Sequence, residues 1–424
     1  MAQLLQRDGY RQVRNLLKAD VLIVNTCGFI SQAREEAYTV LQELAAQKQP
    51  GQLLIAAGCL TQRYGVQVAQ QVPGVDGILG TRRWMDIVEL IGQLRASPHP
   101  EPLYHLPDDA LTMGMDEKDT LRASLAGASA YLKIADGCHR PCAFCSIPLI
   151  KGTAVSRPKE VILAEARQLR DMGVREINLI AQDTTDYGYD LGIKDGLADL
   201  LEGFVKVIPD MDWIRILYAY PGYVTDRLID VMATHAQILP YLDMPLQHAH
   251  PDTLKRMRRP ANMDWVNRTI SKMRNVLPNL AIRTTFIVGY PGETEEEFET
   301  LFDFVQATRF DRVGTFQFSF EPGTASESLG DPVPQEIKEY RYDRLMSMQQ
   351  SISLQINQSF VGQQLDVLIE GRDRKKGIFL GRSYRDAPEI DGWVFVEGKL
   401  EIGKIVPVRI TGAMAYDLTA VHIK

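Results

Sequence analysis

Apolar positions along this chain fall into short compact runs separated by stretches of helical spacing. Over the first ninety-five residues the runs at 20–26, 53–58 and, more weakly, 74–80 suit buried parallel strands, and a helical pattern fills about 31–48. Strands alternating with helices predict an open α/β, flavodoxin-like layer domain over residues 1–96. Cys27 and Cys59 each follow directly on a strand, at the carboxyl edge where such sheets bind ligands. The pattern opens on a helix rather than a strand, so an opening strand and its loop are expected to be missing from the amino terminus.

Residues 97–128 carry Pro98, Pro100, Pro102 and Pro107, then an acidic patch, then small residues, and read as a linker. Six apolar runs follow, at 131–135, 176–180, 213–218, 241–244, 282–288 and 313–318, with helical patterns between them, for example 158–172 and 225–235. Six βα units predict a partial (βα)6 TIM-like barrel over 129–357, ending in a long polar helix from Gln335 to about Asn357. Chemistry then belongs in the loops after the strands. That rule gathers the segment 138–145, the pair Gln182 and Asp183, and residues 218–221, 245–248 and 289–292. Residues 358–424 alternate over short runs broken by glycine and predict a small β-barrel.

Composition narrows the class. The 424 residues allow two to four domains, and 45% hydrophobic with 24% charged residues is ordinary for a globular protein. The formal net charge of −7 argues against broad, charge-driven binding of nucleic acid. The amino terminus lacks the apolar core of a signal peptide and no run approaches the roughly 18 apolar residues of a membrane span. There are five cysteines, three of them at 138, 142 and 145. An odd count and that spacing favour a metal centre over disulfides, hence a reducing compartment and a cytoplasmic location.

Cys138, Cys142 and Cys145 are the most informative residues. Structural zinc takes four ligands, commonly in Cys-x2-Cys pairs, and no second pair exists; His139 is adjacent to a ligand already. Three thiolates without a fourth suit an iron–sulfur cluster with one iron open to a ligand. Phe144, between the last two cysteines, reads by itself as a core aromatic. Taken singly, Cys27 and Cys59 could be small buried hydrophobes, but their equivalent strand-end positions favour a shared role. Thr294 and Glu297 fit a helix capping box, which accounts for most of the glycine-rich stretch before them. His248 and His250 have no nearby carboxylate or thiol in sequence and read as structural or as support behind a neighbouring site.

The spacing Cys-x3-Cys-x-aromatic-Cys after the first strand of a βα barrel resembles the radical S-adenosylmethionine superfamily. The resemblance implies a 4Fe-4S cluster on Cys138, Cys142 and Cys145, with S-adenosylmethionine on the open iron as the source of a 5′-deoxyadenosyl radical. It places Phe144 near the adenine, Gln182 and Asp183 near the cofactor's amino group, and Arg283 within reach of its carboxylate, a structural ion pair being the alternative for Arg283. The contexts of Cys27, Cys59 and Gln247 resemble the methylthiotransferases. There a second 4Fe-4S cluster is held by three strand-end cysteines, the first of which has no counterpart here. The family also ends in a small β-barrel of the TRAM type.

Two branches of that family differ in substrate. One, MiaB-like, modifies an adenosine in tRNA; the other, RimO-like, modifies an aspartate of ribosomal protein S-twelve. From Phe360 to Lys424 there are 10 basic and 9 acidic residues, too even for a barrel that grips tRNA by its phosphates. Residues 381–392 and 181–185 resemble the RimO branch. The resemblance implies β-methylthiolation of an aspartate, with the ribosomal protein or the small subunit as partner and a flavodoxin or ferredoxin as electron donor; tRNA and membrane are not expected. A tRNA methylthiotransferase and a non-catalytic, zinc-stabilised RNA- or ribosome-binding protein are the alternatives.

Overall fold

The computed structural model describes residues 1–96, 101–107 and 120–423. They form two compact units: residues 1–121, 136–155 and 319–328 make the first, and residues 122–135, 156–318 and 329–424 the second.

The first unit is built on four parallel strands in the order β1 (Val21–Thr26), β2 (Leu53–Gly58), β3 (Gly77–Gly80) and β4 (Leu103–His105). Helices α1 (Ala2–Arg7), α2 (Ser31–Gln47), α3 (Cys59–Gln71) and α4 (Ile87–Ala96) surround it, and a short α5 (Ile147–Lys151) belongs to the same unit. Alternate residues of β2 enter different cores: Leu54 and Ala56 pack with Leu41, Leu60 and Val68, whereas Ile55 and Ala57 pack with Ile87, Leu90 and Ile91. A strand covered on both faces has no polar side, which is why its sequence is one continuous apolar run.

The second unit contains a seven-stranded sheet. β6 (Ser129–Lys133), β9 (Glu176–Ile180), β10 (Trp213–Ile216), β11 (Ile238–Asp243), β12 (Ala281–Val288) and β13 (Arg312–Gln317) run parallel in that order, and β5 (Ala123–Ala126) adds an antiparallel edge beside β6. Two-residue strands β7 (Ala135–Asp136) and β8 (Val155–Ser156) flank the segment assigned to the first unit. Helices α6 (Lys159–Asp171), α7 (Gly196–Val207), α8 (Asp226–Thr234), α9 (Pro251–Arg256), α10 (Met263–Val276) and α11 (Glu295–Thr308) lie between strands, and α12 (Gln335–Ser359) follows the last. Six parallel strands alternating with helices match the expected partial barrel. Thr294 and Glu297 form the expected capping box at the start of α11.

Two strands fall inside the stretch read as a linker. β4 extends the first sheet, pairing Gly77 with Leu103, and β5 pairs with β6. β4 is concealed by Pro102 and Pro107 on either side of it, and β5 by its small residues. The acidic patch, Pro98 and Pro100 lie outside the described residues.

The last five strands, β14 (Gln364–Asp373), β15 (Ile378–Ser383), β16 (Val394–Glu397), β17 (Ile405–Ala413) and β18 (Leu418–His422), close into a barrel. Its core is Val367, Ile369, Val394, Val396, Val408 and Ile410. The segment after β15 leaves the barrel and enters the parallel sheet's core. Ala387 packs with Trp213, Leu217 and Tyr241. Arg382 is 2.5 Å from Glu176 and 2.6 Å from Glu370, and Glu176 is also 2.8 Å from Arg215. Arg385 pairs with Asp311, and Asp386 with Arg312. Glu176 and Arg215 are fully buried. Burial opposes ionisation of Glu176, but Arg215 and Arg382 outweigh it and hold the carboxyl at about 2. The stretch 381–392, which reads as a branch signature in sequence, is thus the joint between the small barrel and the parallel sheet.

Candidate cluster and cofactor site

In the first sheet Thr26 lies opposite Gly58, and Gly58 opposite Gly80. The next residues, Cys27, Cys59 and Thr81, therefore leave three adjacent strands at one level. The cysteine loops touch through backbone: a Cβ on Gly28 would stand 2.7 Å from the Leu60 backbone and 2.9 Å from the Cys59 carbonyl carbon, so only glycine permits this approach. Cys27 is exposed and Cys59 partly buried. Burial pushes the Cys59 thiol up; Lys151 opposes that shift, while Cys27 and Asp136 add to it and a hydrogen bond with Thr81 opposes it. Lys151 pairs with Asp136 at 2.6 Å, and α5, which carries Lys151, packs on α3. The strand-end cysteines and the segment bearing the other three cysteines thus share one neighbourhood.

That segment is shaped by Gly137. At φ 75° a Cβ there would lie 2.0 Å from the Thr153 carbonyl oxygen. The Cys138 N–H then donates to the Gly152 carbonyl at 3.1 Å, and the Cys145 N–H to the Cys142 carbonyl at 3.2 Å. The Ile147 N–H, at the start of α5, points at Cys145 Sγ at 3.4 Å. An amide directed at sulfur stabilises a metal-bound thiolate. Cys138, Cys142 and Cys145 are all partly buried.

Three thiolates on one loop without a fourth are a donor set that suits an iron–sulfur cluster with one iron open. A single zinc ion needs its thiolates converging to about 2.3 Å from one point. Among the described residues no three histidine, cysteine or carboxylate side chains converge in that way. Phe144 is half-buried in this loop.

The remaining expected residues lie in the second unit, in loops after the strands or on β12. Gln182 follows β9, and its Oε1 is buried with no hydrogen-bond partner. A buried amide oxygen without a donor suits a bound polar group. Asp183 beside it accepts from the Thr185 N–H at 2.9 Å and from Thr185 Oγ1 at 2.5 Å, capping a turn, which accounts for the residue without a ligand. Gln247 sits at φ 77°, its N–H donating to Thr285 and its carbonyl accepting from Ile287, both at 2.8 Å. A left-handed glutamine locked into a sheet edge is the kind of local strain that accumulates at functional sites.

Arg283, on β12, makes two ion pairs. Its guanidinium is 3.0 Å from Asp243 and 3.6 Å from Asp391, and Asp391 also accepts from the Tyr241 hydroxyl at 2.7 Å. These ion pairs tie the side chain to the joint with the small barrel and leave it 16% exposed. Burial pushes Asp243 up, and Arg283 opposes that shift. His248 accepts the His250 N–H at 2.9 Å and His250 caps α9; contrary to the sequence reading, each imidazole has a carboxylate nearby, Glu293 at 3.9 Å from His248 and Glu297 at 3.7 Å from His250. Tyr218, two residues after the end of β10, stands at φ 61° and is 42% exposed. Nothing in its local sequence signals that conformation; only its place in a strand-end loop does.

The sequence matches the radical SAM superfamily over residues 132–305, the TRAM domain over 361–423 and an uncharacterised family, UPF0004, over 1–80. Similar proteins include the ribosomal protein uS12 methylthiotransferase RimO of Chloroflexus aurantiacus, 50% identical over 99% of this chain and 94% of that protein. The proteins of the same name from Roseiflexus sp. and Synechocystis sp. are 47% and 44% identical, each over 99% of this chain and 92% of theirs. Among solved structures, the radical S-adenosylmethionine methyltransferase TsrM from Kitasatospora setae, with cobalamin and a [4Fe-4S] cluster bound, aligns at TM-score 0.54 and 13% identity, over 82% of this chain and 69% of that one. The same enzyme with tryptophan and aza-SAM aligns at TM-score 0.55 and 12% identity, over 88% and 70%. These two likenesses concern the fold.

Proposed function

This chain belongs to the radical SAM superfamily and, within it, to the RimO family of ribosomal protein uS12 methylthiotransferases, and from that premise we propose that it replaces a hydrogen on the β-carbon of a uS12 aspartate with a methylthio group. When bound, S-adenosylmethionine and the clusters supply the 5′-deoxyadenosyl radical and the methyl and sulfur of the transferred group. Cys138, Cys142 and Cys145 hold one cluster and leave an iron for the cofactor. Cys27 and Cys59 hold the second. Gln182 and Gln247 contribute polar contacts to the cofactor, and Phe144 an aromatic face. The protein works in the cytoplasm with a flavodoxin or ferredoxin as electron donor.

The observation that carries this reading is the presence, in one compact unit, of a three-cysteine loop and two cysteines ending adjacent strands. The charge of the small barrel supports a protein rather than a tRNA substrate. Two of its basic residues, Arg382 and Arg385, are buried in ion pairs, so still fewer remain for phosphates. The described residues include no helix long and apolar enough to cross a membrane.

The test is anaerobic reconstitution with iron, sulfide and S-adenosylmethionine under strong reductant, with uS12 and unmodified tRNA offered in parallel. Methylthiolation of one uS12 aspartate, with tRNA unchanged, is the expected result. Methylthio-adenosine in the tRNA and intact uS12 would move the protein to the other branch.

A further inference from the structure

The ten residues after the last parallel strand, 319–328, belong to the first unit and touch both cysteine loops. Glu321 is the anchor. Its side chain is 3% exposed and lies between the guanidinium groups of Arg34 and Arg63, which are 16% and 6% exposed. Arg63 is a fork: Nη1 donates to Glu321 at 2.9 Å and to the Gly28 carbonyl at 3.1 Å, and Nη2 donates to the Pro322 carbonyl. Gly28 is the residue after Cys27. Ser319 Oγ and the Thr324 hydroxyl stiffen the turn, the first bonding the Glu321 carboxylate at 3.2 Å and the second its carbonyl at 2.8 Å. At the far end the Ser326 N–H donates to the Ala143 carbonyl at 2.9 Å, between Cys142 and Cys145. Gly323 packs on Leu149 of α5. A weaker direct contact, Ser146 Oγ to the Phe29 carbonyl at 3.4 Å, spans the same two loops.

We propose that segment 319–328, clamped by Arg63 and Glu321, is the spacer that fixes the Cys27 loop relative to the Cys138–Cys145 loop, and that Arg63 and Glu321 are positioning residues for methylthio transfer. A reaction that joins a group held at one centre to a radical made at another requires a fixed separation, and small misplacements cost rate heavily. A buried carboxylate shared by two arginines gives a defined geometry, and removal of its charge leaves two guanidinium groups without a counter-ion. The functional consequence rests on the proposed activity; the spacer geometry does not.

Two variants of the full-length protein, Glu321→Gln and Arg63→Lys, test this. In metal-free protein, hydrogen exchange followed by mass spectrometry is expected to rise at residues 24–30 and 139–149 while the parallel sheet of the second unit stays as in the parent. In reconstituted protein, the ratio of deoxyadenosine to methylthiolated uS12 is expected to rise roughly tenfold or more, with the rate of deoxyadenosine formation within about twofold of the parent. Arg63→Lys, which keeps the charge but loses the fork, moves both readouts in the same direction by less. The proposal is overturned by a ratio equal to the parent's, by exchange rising evenly over the chain, or by loss of the fold in both variants. A parent protein that leaves uS12 unmodified defeats the proposed activity instead, and the exchange experiment then decides the spacer by itself.

Discussion

Replacing Glu176 by glutamine removes the centre of the ion network joining the small barrel to the parallel sheet. Glu176 is fully buried, contacts Arg215 at 2.8 Å and Arg382 at 2.5 Å, and accepts from Ser129 Oγ at 2.8 Å. Its carboxyl is held at about 2, against an ordinary 4.5. A shift of that size corresponds to roughly 3 kcal/mol of stability at neutral pH. Breaking one member out of a buried ion group costs about 3–5 kcal/mol by analogy with other proteins, so two routes agree on the scale. The sign is fixed by linkage: a depressed carboxyl stabilises the fold above pH 4.5 and loses that contribution as pH falls towards 2. Glu176→Gln is therefore expected to unfold about 5 °C below the parent at pH 7, with a gap that is constant down to about pH 5 and narrows below it. Thermal unfolding of metal-free protein, followed by circular dichroism at several pH values, measures this. A variant within about 1 kcal/mol of the parent at pH 7 would refute the reasoning.

Three further outcomes follow from the site. Gly137→Ala places a Cβ 2.0 Å from the Thr153 oxygen at φ 75° and is expected to abolish iron loading on the three-cysteine loop, read as lost deoxyadenosine production. Cys59→Ser should keep deoxyadenosine formation but lower iron and sulfide content and stop methylthio transfer, which elemental analysis and product mass distinguish. Gln247→Ala should weaken S-adenosylmethionine binding by roughly tenfold, the cost of about one hydrogen bond, in equilibrium binding to reconstituted protein.

Much of this architecture is legible in the sequence because each buried strand is an uninterrupted apolar run. The candidate at 176–180 coincides with β9, and those at 213–218 and 282–288 differ from β10 and β12 by one or two residues at an end. β4 and β5 were hidden because they are short and set among prolines and small residues. The long helix α12 reads as polar for a physical reason: its inward side is polar. Gln349 and Ser353 donate to the backbone carbonyls of Phe310 and Asp311, and Lys338 bonds the carbonyl of Phe318, so its buried stripe carries few apolar residues.

The site was legible where chemistry demands a residue type at fixed spacing, as at Cys138, Cys142 and Cys145. Partnership across the fold was not legible. Asp391, more than a hundred residues after Arg283, shares its guanidinium with Asp243, and no local pattern announces that pairing. A still greater distance in sequence hid the clamp of Arg63 on Glu321. Residues 381–392 were noticed for their likeness to one branch; their ion pairs into the sheet supply a structural reason for that pattern.

The central claim is that three thiolates on one loop hold an iron–sulfur cluster with an iron open to S-adenosylmethionine. It is tested most directly by comparing the parent with a variant in which Cys138, Cys142 and Cys145 are all alanine, both prepared anaerobically and assayed for iron, sulfide and deoxyadenosine under strong reductant. The account requires a parent that binds iron and sulfide and releases deoxyadenosine, and a variant that retains only part of the iron and releases none. Zinc without iron in the parent, or deoxyadenosine from the variant, would contradict it.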